Sequence, residues 1–158
     1  RVSVGDGYVV MAVCPRLFLP IQKCQNRGKR SRYRRRTMTE ERIIRKMLFE
    51  DIEKLANAFI QQVWPGRREI LKNYFLEQAT GERQVLVAVD GTFLAAYITV
   101  IPSAKHGSFA GLYSELTDFN VFESFQRQGI GTALLDKAER VGQNYSDVVS
   151  LGVALHKG

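Results

Sequence analysis

The chain has 158 residues, 45% hydrophobic and 25% charged, with a formal net charge of +7. That length fits one domain with a real core rather than two, and the composition is ordinary for a globular chain. The charge is uneven: residues 1–37 hold ten Lys and Arg against Asp6 alone, a net +9, which leaves −2 for residues 38–158. A basic body built to bind nucleic acid is therefore excluded, and any such role falls to the first 37 residues.

Those residues show no sustained periodicity and end in "RGKRSRYRRRT". They are expected to form a basic leader, disordered or non-native, since Met38 would be a natural start. Read as native, the run is an arm for phosphate backbones. The apolar stretch "YVVMAVCPRLFLPI" is too short to cross a bilayer and is broken by Pro15 and Arg16. Its basic cluster follows the apolar part, the wrong order for a signal peptide. Both cysteines, Cys14 and Cys24, lie here. A body without cysteine suits a reducing compartment, and a cytoplasmic location is expected.

From Arg42 the pattern becomes orderly. "RIIRKM" reads as a short strand. In "FEDIEKLANAFIQQVW", Ile52, Leu55, Ala56, Phe59, Ile60 and Val63 recur at helical spacing, and Trp64-Pro65-Gly66 ends the run. A second helix is predicted over "REILKNYFLEQA", with Ile70, Tyr74 and Phe75 facing inward. "QVLVAV" and "TFLAAYITVI" flank Asp90-Gly91, a hairpin signal of type I′. "PSAKHGSFAGLY" reads as a loop, "SELTDFNVF" as a strand, "GIGTALLDKAERVGQ" as a helix and "DVVSLGVAL" as a last strand. The final strand, helix and strand form a βαβ unit with a parallel pair. The order is β-α-α-β-β-β-α-β.

The stretch "NVFESFQRQGIGTALL" carries the chemistry. Two glycines let backbone N–H groups approach an anion, and the following helix start adds a favourable dipole. A Walker loop requires Gly-Lys-Ser/Thr, whereas Gly131 is followed directly by Thr132. A dinucleotide fingerprint requires a small third residue, where Leu134 stands. Gln126-x-x-Gly129-x-Gly131 after a strand instead resembles the acyl-CoA loop of the GNAT acetyltransferases, with Val121 at the apolar strand end five positions earlier. The element order resembles that superfamily over residues 42–158.

The resemblance implies an α/β (α+β) fold, a mixed and mostly antiparallel sheet flanked by helices, and acetyl-CoA as cosubstrate. N–H groups of Arg127, Gln128, Gly129, Ile130, Gly131 and Thr132 would hold the pyrophosphate, with Gln126 opening the loop. Pantetheine would lie along the strand ending at Val121 and Phe122. An N–H of one of those two would face the thioester carbonyl as an amine attacks. Glu115 stands six residues before Val121, a position similar to the catalytic glutamate of the histone-acetyltransferase branch. Asp118 is its rival, on the opposite face of a regular strand. Either carboxylate could instead bind a cationic acceptor without accepting a proton.

Other residues carry less. His106 and His156 are isolated, so no metal is expected. Ser146-Asp147 reads as a turn cap, and Phe109 and Tyr113 as a substrate wall or, more readily, surface packing. The superfamily normally continues with a helix, often bearing a tyrosine acid, and two strands, so 38–158 reads as a C-terminally incomplete domain. Its last strand is then expected to present a bare edge open to self-association. The first reading is an N-acetyltransferase moving acetyl from acetyl-CoA to a primary amine of a small molecule, protein or peptide. The rival is a non-catalytic acyl-CoA-binding module, or a nucleic-acid-associated protein acting through its arginine-rich arm.

Overall fold

The computed structural model describes residues 2–5, 8–13 and 42–154. The arginine-rich run, Cys14, Cys24, Met38 and His156 lie outside the described residues. The elements in chain order are β1 (Val2–Gly5), β2 (Tyr8–Val13), β3 (Arg42–Lys46), α1 (Asp51–Gln61), α2 (Arg68–Thr80), β4 (Gln84–Asp90), β5 (Phe93–Ile101), β6 (Ser114–Val121), α3 (Ile130–Gly142) and β7 (Val149–Ala154). The eight elements expected from Arg42 onward are all present, in the expected order.

The strands form one sheet in the order β1-β2-β7-β6-β5-β4-β3. Its pairs are antiparallel except β6 with β7, the pair joined through α3. Antiparallel neighbours need only tight turns, and the helix supplies the long crossover that a parallel pair requires. Between β4 and β5, Asp90 pairs with Phe93 and only Gly91 takes a left-handed φ, 61°. That is the type II′ pattern rather than the expected type I′, since Asp90 closes the ladder instead of entering the turn.

Alternation along β4 sends Val85 and Val87 to one face, against Leu55, Phe59 and Leu71 of α1 and α2. Leu86 and Ala88 face the other side, with Ile130, Leu134 and Ala138 of α3. β5 is buried from Leu94 to Ile101, as a strand covered on both faces must be. Three expected core positions are corrected. Ile60 is 56% exposed, Val63 94% and Ile70 42%, while Leu71 is fully buried in α2. α1 ends at Gln61, so Val63 never joins its stripe, and α2 packs a phase one residue later than the apolar count suggests.

The last strand differs from expectation as well. Its edge is not bare: Tyr8–Val13 pair with β7 from Tyr8↔Ala154 to Val13↔Val149, and β1 pairs β2 in turn. Part of the stretch read as leader thus lies in the sheet. The pairing satisfies the backbone groups that an edge would offer to a second chain. Deleting residues 1–13 is expected to lower the melting temperature and produce self-association on size exclusion. An unchanged melt and a monomeric profile would refute a structural role for β2.

Candidate active site

α3 begins where the glycine loop ends. Arg127 and Gly129 take left-handed φ values of 58° and 79°, and together they turn the chain from a short helical turn at Glu123–Phe125 into Ile130. The N–H groups of Ile130, Gly131 and Thr132 lie in the first turn, where no preceding helical carbonyl can receive them. A helix start of this kind favours an anion, because the dipole adds about half a positive charge there. A Cβ on Gly131 would sit 3.2 Å from Val121 Cγ2 and 3.3 Å from the Phe119 ring, so the glycine lets the helix start rest on β6. Gly129 has open space around its Cβ position, and its demand is conformational.

The loop is braced from both ends. Gln126 Nε2 donates to the Val121 carbonyl at 3.0 Å, and Gln128 Nε2 donates to the Ser124 carbonyl at 2.9 Å. Arg42, on the far edge strand, donates to the Gln128 carbonyl at 3.0 Å and to its Oε1 at 3.2 Å. Nothing in the sequence signals that brace across 86 residues.

β6 and β7 pair only over Ser114–Leu116, although β6 continues to Val121. The parallel pair therefore parts beyond Leu116. On the other side β6 stays paired to β5, and Phe122 N–H donates to the Ala95 carbonyl at 3.0 Å. Strand alternation turns the N–H and C=O of Val121 the opposite way, into the gap. Of the two N–H groups expected to face a thioester, that of Phe122 is engaged within the sheet.

The β6 strand is not regular. Its pairing with β5 steps from Thr99↔Thr117 to Tyr97↔Asn120, so β6 carries one extra residue, and Asp118 takes φ 51°. This is a bulge, and it reverses the faces beyond it. Phe119 and Val121 now meet Gly131 on the α3 side, while Asn120 meets Tyr97 on the side of α1 and α2. The expectation that Asp118 points away from Glu115 fails for this reason. Asp118 lies among groups on the same face, where Glu115 feels the charges of His106 and Arg83.

Asp118 is fully engaged. Arg67 Nη1 and Nη2 each donate to one of its oxygens at 2.7 Å, and Asn120 Nδ2 donates at 3.1 Å. Arg67 Nη1 also donates to the Tyr97 hydroxyl at 2.9 Å, and its guanidinium lies 5.5 Å from the centroid of the Phe59 ring. Burial pushes the Tyr97 hydroxyl far above the ordinary range, with the Asp118 charge adding to the effect. Glu115 sits at the paired end of β6, between Ile101 and Ser150, half-buried. Burial raises its carboxyl above the usual carboxylate range, against the opposing pull of His106 and Arg83. Tyr97 and Asn120 were not expected at this site, and the loop before α2, expected near the substrate, brings Arg67 to them.

Ser146 caps its turn, donating from Oγ to the Val148 carbonyl at 2.6 Å and accepting from Ser114 N–H at 2.8 Å. Phe109 and Tyr113 pack ring against ring at 5.5 Å. Among the described residues no three His, Cys, Asp or Glu side chains cluster as a metal site would require. No described helix is long and apolar enough to cross a membrane.

A mixed sheet whose parallel pair opens beside a glycine-rich helix start defines an acyltransferase domain of the α/β class. The profile of the acetyltransferase (GNAT) family matches residues 49–156. The chain belongs to that family. Among solved structures it is similar to a GNAT family acetyltransferase of Staphylococcus aureus, at 17% identity and TM-score 0.55 over 74% of this chain and 90% of that one. It is similar to the PaiA N-acetyltransferase of Thermoplasma acidophilum in complex with coenzyme A, at 19% identity and TM-score 0.52 over 66% and 73%. A GNAT acetyltransferase of Brucella melitensis in complex with acetyl-CoA gives 19% identity and TM-score 0.51 over 68% and 71%. These identities speak for the fold alone. No curated protein matches the chain.

Proposed function

We propose that the chain is an N-acetyltransferase that moves acetyl from acetyl-CoA to a primary amine by direct attack, with Glu115 as the general base. The observation that carries this reading is the opening of β6 from β7 beyond Leu116, next to the free N–H groups of the α3 start. The residues present fit an acyl-CoA: Gly131 brings the helix start against β6, and Gly129 supplies the turn that aims it. The relatives solved with coenzyme A and acetyl-CoA support the same choice of cosubstrate.

In this reading the loop from Arg127 to Thr132 holds the pyrophosphate, and bound acetyl-CoA supplies the activated acyl group. Val121 N–H serves the thioester carbonyl, since Phe122 N–H is held by Ala95. The attacking amine is protonated at neutral pH and must lose a proton. Asp118 has both oxygens on Arg67, which leaves Glu115 to accept that proton through a chain of water, since six strand residues, on the order of 20 Å, separate it from Val121. Its raised pKa brings it nearer to the amine it must deprotonate.

The test is thiol release from acetyl-CoA across a panel of small amines and lysine peptides. Turnover should rise with pH through the raised Glu115 ionisation, because only the carboxylate accepts a proton. Glu115→Gln should lower kcat by ~100-fold or more, the usual scale for a lost general base, and flatten that pH limb. Full activity in the variant would remove Glu115 from the mechanism. Absence of both acetyl-CoA binding and turnover in the wild-type chain would refute the proposed function itself.

A further inference from the structure

The ion pair between Arg67 and Asp118 joins two segments that the acyl-transfer reading treats separately. Arg67 ends the loop between α1 and α2, and Asp118 is the bulged residue of β6. Both take left-handed backbone conformations, with φ values of 52° and 51°, in residues that carry a Cβ. Such a conformation is unfavourable, for the arginine above all, and persists where the surroundings hold it. Here the surroundings are specific: two Arg67 hydrogen bonds at 2.7 Å, one from Asn120, and the Tyr97 hydroxyl shared by Arg67 and Asn120.

The consequence falls three residues further along. One extra residue at Asp118 reverses the parity of β6, and that reversal places Phe119 and Val121 on the α3 side, against Gly131. It also sets which β6 backbone groups face β5 and which face the gap beside β7. Without the bulge, the register beyond Thr117 would slip by one, and Val121 N–H would turn toward β5.

We propose that Arg67 is a positioning residue for acyl transfer, acting through Asp118 to hold the β6 bulge that aims Val121 N–H into the gap between β6 and β7. The role rests on the transferase reading above. It differs from a simple staple of the loop onto the sheet, because a staple would act on stability alone. The small errors of aim that follow its loss are of the kind that cost about 100-fold in rate.

The variants Arg67→Ala, Arg67→Lys and Asp118→Asn, with Arg68→Ala as a control on the neighbouring exposed arginine, test it by two readouts. In steady-state kinetics, Arg67→Ala and Asp118→Asn should lower kcat 10- to 100-fold with KM for acetyl-CoA changed less than threefold. Arg67→Lys should recover part of the loss, and the control should match wild type. In amide hydrogen exchange of the ligand-free chain, Arg67→Ala should speed exchange over Thr117–Val121 at least tenfold while α3 keeps its protection. That second readout needs no turnover, so it still decides the role of Arg67 if the chain proves inactive. A kcat within twofold of wild type, unchanged exchange at Thr117–Val121, or loss of protection throughout the chain would overturn the proposal.

Discussion

Gly131→Val is expected to abolish stabilisation of the chain by acetyl-CoA. A ligand that binds only the folded state at 100 times its Kd stabilises it by about 2.7 kcal/mol, so the wild-type shift is readily measured by thermal melting. In the variant the first carbon already meets Val121 Cγ2 at 3.2 Å and Phe119 at 3.3 Å, contacts tight enough that those side chains or the helix start must give way, and two further methyl groups add to the crowding. The start of α3 is expected to lift from β6, carrying its N–H groups away from the phosphate position. Gly129 responds differently, because open space surrounds it and only its φ of 79° resists a side chain. Asparagine tolerates that conformation far better than valine does. Gly129→Asn should therefore keep much of the shift while Gly129→Val loses it, and Gly131→Asn should fail like Gly131→Val. An undiminished shift in Gly131→Val would show that this loop is not the anion cradle.

What the sequence made legible and what it hid divide along a physical line. The glycine loop, the helix after it and the hairpin at Gly91 are local devices, in which a few adjacent residues decide the backbone. They could be read directly, and with them the family. The bulge at Asp118 leaves no local sign, since an aspartate in a strand ordinarily reads as one more exposed position. It exists because Arg67, fifty-one residues earlier, holds it there. Leu71 and Ile70 are equally apolar neighbours, and only the packing of α2 on β4 and β5 decides which is buried. The pairing of β2 with β7 is of the same kind: a short apolar strand finds its partner across most of the chain. The candidate site is thus half legible. Its glycine loop and helix start are local, and the cluster of Arg67, Tyr97, Asp118 and Asn120 is assembled by contacts between distant segments.

Asp51→Ala is expected to destabilise the fold by about 3 kcal/mol, the lower end of the cost of breaking a buried ion pair by removing one partner. Asp51 opens α1 with its side chain fully buried, and Arg45 on β3 grips it through both oxygens at 2.5 and 3.0 Å. Leu48 N–H donates to the same carboxylate at 2.8 Å, closing the turn between β3 and α1. Burial alone would raise the Asp51 pKa, yet the Arg45 hydrogen bonds and the Leu48 amide outweigh it and hold the carboxyl below its ordinary value. A carboxyl depressed in the folded state stabilises the fold fully above its unfolded pKa of about 3.9, and that contribution is lost as pH falls through the folded value. Denaturant melts of wild type and Asp51→Asn, which keeps the shape and removes the charge, should therefore differ most near neutrality. Their midpoints should begin to converge below about pH 4 and meet only once the pH has fallen through the depressed folded value, where protonation makes the wild-type carboxyl neutral too. For a chain of this length each kcal/mol moves the melting temperature by about 2–4 °C, so the alanine variant should melt roughly 10 °C lower. Equal stability of wild type and both variants at pH 7 would mean that the β3–α1 corner is held by packing, with the ion pair contributing nothing.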